Sequence, residues 1–180
     1  MDRLLSIIQD GEEIFRQYFG ESILLIQEEY RDTKYIKRIN DQISFVLNQA
    51  KQEGKEEIRY FGIMYLNSSL WLKTYELLFG LYNEAFYLDP KPKEYFYQIP
   101  LFFEEFDKNM LKVLNQIKNN YSRVQPYEVE QLKKKCINYY YAAIYKFLCD
   151  VQEEMIVPSN VILYWGRYQG EATIINGGQL

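Results

Sequence analysis

The chain contains no histidine, and that single fact removes much of the chemistry its other residues could have supported. Without an imidazole there is no Ser-His or Cys-His nucleophile pair, no neutral-pH proton shuttle and no access to the commonest metal ligand. Carboxylate, lysine and tyrosine chemistry remains. Paired carboxylates stand at Glu12-Glu13, Glu28-Glu29, Glu56-Glu57, Glu104-Glu105 and Glu153-Glu154. Adjacent residues on a helix do not share a face, so these pairs make poor acid/base dyads or metal clamps and read as the solvent faces of amphipathic helices. The Glu-x-x-His motif of a di-iron bundle cannot form, and no EF-hand spacing of carboxylates is present. Gly166 and Gly170 lack the Gly-Lys-Ser/Thr of a phosphate loop and read as a hairpin turn. No catalytic residue, metal ligand or cofactor is expected.

Recognition chemistry is better represented. Aromatic residues make up 17% of the 180, with Tyr 18 and Phe 11. Tyr164, Trp165, Arg167, Tyr168 and Glu171 bring Trp, Tyr and Arg together near the C-terminus, the types that dominate binding hot spots. Trp71 and Tyr75 form a second aromatic group. Both groups are candidate partner-binding residues; the competing reading is that aromatics in strands are there to pack. The net charge of −4 argues against nucleic acid, whose phosphates need a concentrated basic surface. Lys133-Lys134-Lys135 follows Glu128 and Glu130 on one predicted helix and reads as a solvated face. Mild acidity suits solubility, or a basic protein partner.

The elements that must position these residues begin with helices. Asp10 with Glu13 suggests a capped helix through Phe19, Gly20 a break, and Ser22 the cap of a second helix through Tyr30. Ile36, Ile39, Ile43, Val46 and Leu47 form an apolar stripe, with Gly54 placed to end it. From Glu57 the character changes to aromatic, glycine-interrupted alternation. Two antiparallel strands are expected, roughly 57–67 and 72–84, with a helical reading of these short apolar runs still open. Asp89-Pro90-Lys91-Pro92-Lys93 is the strongest break; it is a candidate hinge, read as a connector within one domain spanning 1–180. A long helix then starts near Pro100 and runs through Tyr121. Pro126 opens another, with a stripe from Val129 through Val151. Pro158 closes it, and two short strands, Val161–Trp165 and Ala172–Ile175, follow before a tail from Asn176 that should fray. The expected fold class is α+β, with N-terminal helices, a central antiparallel β-hairpin, two long helices and a short C-terminal β-hairpin. An all-α bundle is the alternative.

Cys136 and Cys149, thirteen residues apart on one predicted helix, would be separated by a rise of about 20 Å, out of disulfide reach. They read as small hydrophobes in a reducing compartment. The apolar start is too short for a signal peptide, and no run approaches the ~20 residues of a membrane span, so a cytoplasmic location is expected.

Two motifs carry a resemblance. One is Phe61-Gly62-x-x-Tyr65-Leu66-x-Ser68-Ser69-Leu70, continued by Tyr75-Glu76, Leu81-Tyr82-Asn83-Glu84 and Phe86-Tyr87-Leu88-Asp89; the other is Trp165-Gly166-x-Tyr168. Together they are similar to a loose group of small, Tyr-rich bacterial cytosolic proteins without an assigned function, some of a kind encoded beside secreted toxins. The resemblance implies strands in the middle and at the end, and it supplies no catalytic residues. The functional expectation is a non-enzymatic protein-binding module of a bacterial cytoplasm, with a toxin-neutralising immunity protein as its most concrete form. A subunit of a homomeric or larger assembly, and an enzyme with a histidine-free carboxylate, Lys or Tyr site, are the alternatives.

Overall fold

A computed structural model of the chain describes residues 2–31 and 33–176. The fold is α+β. Its helices are α1 (Arg3–Tyr30), α2 (Thr33–Gln52), α3 (Asn67–Leu72), α4 (Phe102–Asn120) and α5 (Pro126–Val151); its strands are β1 (Tyr60–Tyr65), β2 (Leu77–Tyr82), β3 (Lys93–Tyr97), β4 (Ile162–Arg167) and β5 (Ala172–Ile174). No helix among the described residues is long and apolar enough to cross a membrane. The chain divides into two compact units, Met1–Arg31 with Pro100–Ile144, and Asp32–Ile99 with Tyr145–Leu180.

The first unit is helical. Asp2 caps α1 through a hydrogen bond from the Leu4 amide, and the helix runs unbroken past Gly20, where a break was expected. A glycine in a helix costs only about 1 kcal/mol, and burial of Ile7, Phe15 and Ile26 along the same helix outweighs it. Ser22 is not a cap. Its hydroxyl donates to Glu105 Oε2 at 2.9 Å and accepts from Asn109 Nδ2 at 2.9 Å, and Asn109 Nδ2 also reaches the Tyr140 hydroxyl at 3.0 Å. Around this network Phe15, Phe106 and Tyr140 meet edge to face, with centroids 5.7–6.2 Å apart.

The second unit is built on a five-stranded sheet of order β3-β2-β1-β4-β5. β1 pairs β2 antiparallel and β4 parallel, while β2–β3 and β4–β5 are antiparallel. The central pair and the C-terminal hairpin match expectation; β3 was not foreseen. The link from β1 to β2 also differs, because α3 sits in it. Asn67-Ser68-Ser69 forms a helical turn, with the Ser69 hydroxyl bonded to Leu66 O at 2.8 Å, and Lys73 ends that turn in the left-handed conformation at φ 54°. One face of the sheet carries Phe61, Ile63, Phe79, Leu81, Leu163 and Trp165, all buried. α2 touches β3 and buries Tyr35, Ile39, Ile43, Val46 and Ala50. Gly54, at φ 79°, stands just beyond α2 as expected of a C-terminal glycine. Residues 89–93 lie within this unit and lead into β3.

Cys136 and Cys149 both sit on α5 as free thiols. Burial pushes the Cys136 thiol above its ordinary range, so it packs as a small hydrophobe. Asn176 is held rather than frayed, its side-chain oxygen accepting the Leu163 amide at 2.6 Å. The rest of the tail, 177–180, lies outside the described residues.

Candidate functional site

Strand alternation puts Tyr60, Gly62, Met64, Leu78, Gly80, Tyr82, Glu94, Phe96 and Tyr164 on the second face of the sheet. Gly62 and Gly80 are paired directly across β1 and β2, and Gly62 also stands opposite Tyr164 of β4. The two glycines leave bare backbone, and tyrosine rings occupy the space. A Cβ at Gly62 would collide with Tyr164 Cζ and OH; one at Gly80 would lie 2.6 Å from Met64 Cε and 2.7 Å from the Tyr82 hydroxyl. Met64, Leu78, Tyr82 and Tyr164 form a buried cluster, with Tyr60, Leu66, Phe86, Tyr87 and Tyr168 packed against it. Phe86 packs over it, its ring 5.1 Å from that of Tyr164, 4.9 Å from Tyr60 and 4.2 Å from Tyr87. It holds that place at φ 54°, a conformation that costs a non-glycine residue about 1–3 kcal/mol.

Gly62→Ala should destabilise the protein by about 1–3 kcal/mol through overpacking against Tyr164. That exceeds the roughly 0.4–1 kcal/mol gained when a glycine leaves the unfolded chain. Gly20→Ala, where an added Cβ meets nothing within 4 Å, should instead stabilise by about 0.5–1 kcal/mol. Urea midpoints at unchanged slope would read both, and equal signs for the two variants would refute the packing account.

One carboxylate organises the polar side of this face. Glu94 Oε1 accepts from the Tyr82 hydroxyl at 2.7 Å and Oε2 from the Tyr168 hydroxyl at 3.4 Å. Tyr164 and Tyr87 point their hydroxyls at Met64 Sδ, at 3.4 and 3.7 Å. Burial, the larger cause, and then the Glu94 hydrogen bond push the Tyr82 phenol well above its usual range. Tyr168 is raised by burial and by the same carboxylate, and Tyr164 by burial and by its phenolic neighbours. These phenols therefore act as hydrogen-bond donors, and none is tuned to accept a proton near neutrality.

Beside Glu94 the face opens into a pocket of about 380 Å³, within the size range of ligand sites. It is lined by Leu66, Ser68, Ser69, Leu72, Thr74, Glu76, Leu78, Glu94, Phe96 and Tyr168. Glu76 supplies a second carboxylate, and neither lysine nor arginine is among the described lining residues. Phe96 and Leu72 stand at the rim, 61% and 72% exposed. Among the described residues no group of three or more Cys, Asp or Glu is arranged to hold a metal ion.

The residues singled out from the sequence fall in different places. Tyr168 lines the pocket, and Tyr164 is buried in the cluster beside it. Trp165 points to the opposite face, buried, with its ring 5.6 Å from that of Tyr65. Arg167 and Glu171 are exposed on the β4–β5 turn, where the Arg167 amide donates to Glu171 O at 3.0 Å. Trp71 sits on α3 and Tyr75 in the following loop at φ 49°. Neither lines the pocket, but their neighbours Leu72, Thr74 and Glu76 do. The C-terminal turn and the 68–76 segment thus converge on one pocket. Glu94 and Gly80 were missed, and Tyr82, Phe86 and Gly62, which stand in the motifs that carry the resemblance, were not assigned to a site. The signal for Glu94 was the Lys-Glu-Tyr-Phe-Tyr alternation directly after Pro92, since a proline at a strand's start marks an edge strand.

Compared with protein-family models, curated proteins and solved structures, the chain matches none of them.

Proposed function

We propose that this chain is a non-enzymatic protein-binding module that engages a basic partner in the cytoplasm through the Glu94 pocket and its apolar rim. The observation that carries the reading is the lining itself. Two carboxylates and two aromatic rings meet in one concavity, with no lysine or arginine among the described lining residues to neutralise them. An acidic, aromatic surface with exposed apolar edges is what a cationic protein surface complements. The buried tyrosine layer beneath it holds the lining in place, so little order has to be gained on binding. A toxin-neutralising immunity protein is the most concrete form of this role, with a basic secreted enzyme as its target.

Affinity capture with the tagged full chain, from the cells that naturally express it, tests the reading. The expected result is one stoichiometric partner of basic pI, released by raising the salt. Capture of nothing but further copies of the chain would refute it. It would favour the second reading, a homomeric assembly, which exposed apolar side chains on the two outermost strands support: Phe96 of β3 is 61% and Ile174 of β5 55% exposed. Solution mass would then exceed that of a monomer.

A further inference from the structure

We infer that the pocket beside Glu94 receives a single arginine side chain of the partner, its guanidinium set against the Glu94 and Glu76 carboxylates and flanked by Phe96 and Tyr168. This inference rests on the protein-binding reading and names what that surface recognises. Charge selects the ligand class first. A concavity containing Glu76 and Glu94 and no basic group among its described lining residues repels an anion and gives a neutral side chain no compensation for displacing water from two carboxylates.

Glu94 is also preoriented. Tyr82 and Tyr168 each donate to a different one of its oxygens, and a carboxylate has about four acceptor sites, so it remains able to accept from an incoming donor. The walls then choose between cations. A guanidinium is planar, weakly hydrated, stacks on aromatic faces and carries five N–H donors, whereas an ammonium is a compact, strongly hydrated point charge. Phe96 and Tyr168 supply the rings for the first kind of cation. Leu72 and Thr74 offer surface for the aliphatic stem, the part an arginine buries when its head is engaged.

The test uses the isotope-labelled full chain and a defined probe, N-acetyl-arginine methylamide, titrated by NMR. N-acetyl-citrulline methylamide, nearly the same shape without the charge, is the control. The expected result is saturable shifts at the amides of Thr74, Phe96 and Tyr168, with affinity roughly three- to tenfold lower for the citrulline probe and for the Glu76→Gln/Glu94→Gln protein. Glutamine at 94 keeps an acceptor for the Tyr82 hydroxyl, and a dispersed spectrum verifies the fold; the Glu76→Gln single variant gives an independent reading. Equal binding of the two probes, undiminished binding by the double variant, or no binding at all would overturn the inference. Failure of the broader reading looks different. A captured partner that binds wild type and double variant alike retires the arginine pocket and leaves the binding module standing. Absence of any partner, with the arginine probe still bound, retires the module and leaves the guanidinium site.

Discussion

Trp165→Ala is expected to destabilise the protein by about 3–5 kcal/mol, while Arg167→Ala, two residues on, should leave stability within about 0.5 kcal/mol. Sequence puts both residues in one aromatic and basic group; the strand separates them. Trp165 pairs with Ile63 across the parallel β1–β4 ladder and shares one face of the sheet with Phe61, Phe79 and Leu163. It is 7% exposed, with its indole 5.6 Å from the Tyr65 ring. Truncation removes the largest ring on that face and leaves a cavity that a paired strand cannot collapse to fill. Arg167 ends the strand in solvent, and its amide donates to Glu171 O while its carbonyl accepts the Gly170 amide, backbone bonds that alanine keeps. Denaturation followed by circular dichroism separates the two residues without relying on tryptophan emission. A Trp165→Ala protein of unchanged midpoint would show that the indole is not a core residue, and its role would then have to be sought in binding. A large loss for Arg167→Ala would mean that the side chain carries structure the exposed turn does not suggest.

How far sequence reached follows from where each element draws its stability. α2, α4 and α5 declare themselves through apolar stripes and a proline at the first turn, because their burial is periodic and local in sequence. The β1–β2 pair declares itself through alternation. α1 misled because Gly20 is a weak local signal against packing made with residues some eighty to one hundred and twenty positions away, Glu105, Asn109 and Tyr140 among them. α3 and β3 were hidden for a different reason. Six and five residues are too short for a periodicity to stand out, and β3 exists as a strand because β2 offers it an edge. The site divides in the same way. Tyr168 was legible from residue type, whereas Glu94 gains its role only when β3 is laid beside β2 and the β4–β5 turn delivers Tyr168 to it. A glycine pair facing itself across two strands is likewise invisible until register is known.

Breaking the Lys55–Asp89 pair should be the other most damaging change, at about 3–5 kcal/mol for either partner alone. Both side chains are almost wholly buried, and Lys55 Nζ donates to Asp89 Oδ2 and to Lys91 O. Asp89 in turn accepts the Asn83 amide at 2.7 Å and the Lys91 amide at 2.9 Å. One carboxylate thus ties both ends of the segment that contains Phe86 and Tyr87, the residues that cover the tyrosine cluster. Asp89→Asn leaves a buried ammonium facing an amide; Lys55→Met leaves a buried carboxylate with only backbone donors. Each orphaned charge accounts for most of the loss, so the double variant should be less destabilised than the sum of the singles. Acid provides an independent check. Burial pushes the Asp89 carboxyl up, but the Lys55 hydrogen bond and then the two amides outweigh it and hold the group below the ordinary aspartate range. Its stabilisation is therefore complete above the unfolded value near pH 3.9 and is lost as pH falls through the lower folded one. Wild type should lose stability across that window more steeply than Asp89→Asn, so that the two curves converge on acidification. Curves that stay parallel would show that the pair is not coupled to folding. Because the segment it anchors packs Phe86 and Tyr87 against Tyr82, and Phe86 against Tyr164, the same variants should also broaden the Tyr82 and Tyr164 resonances.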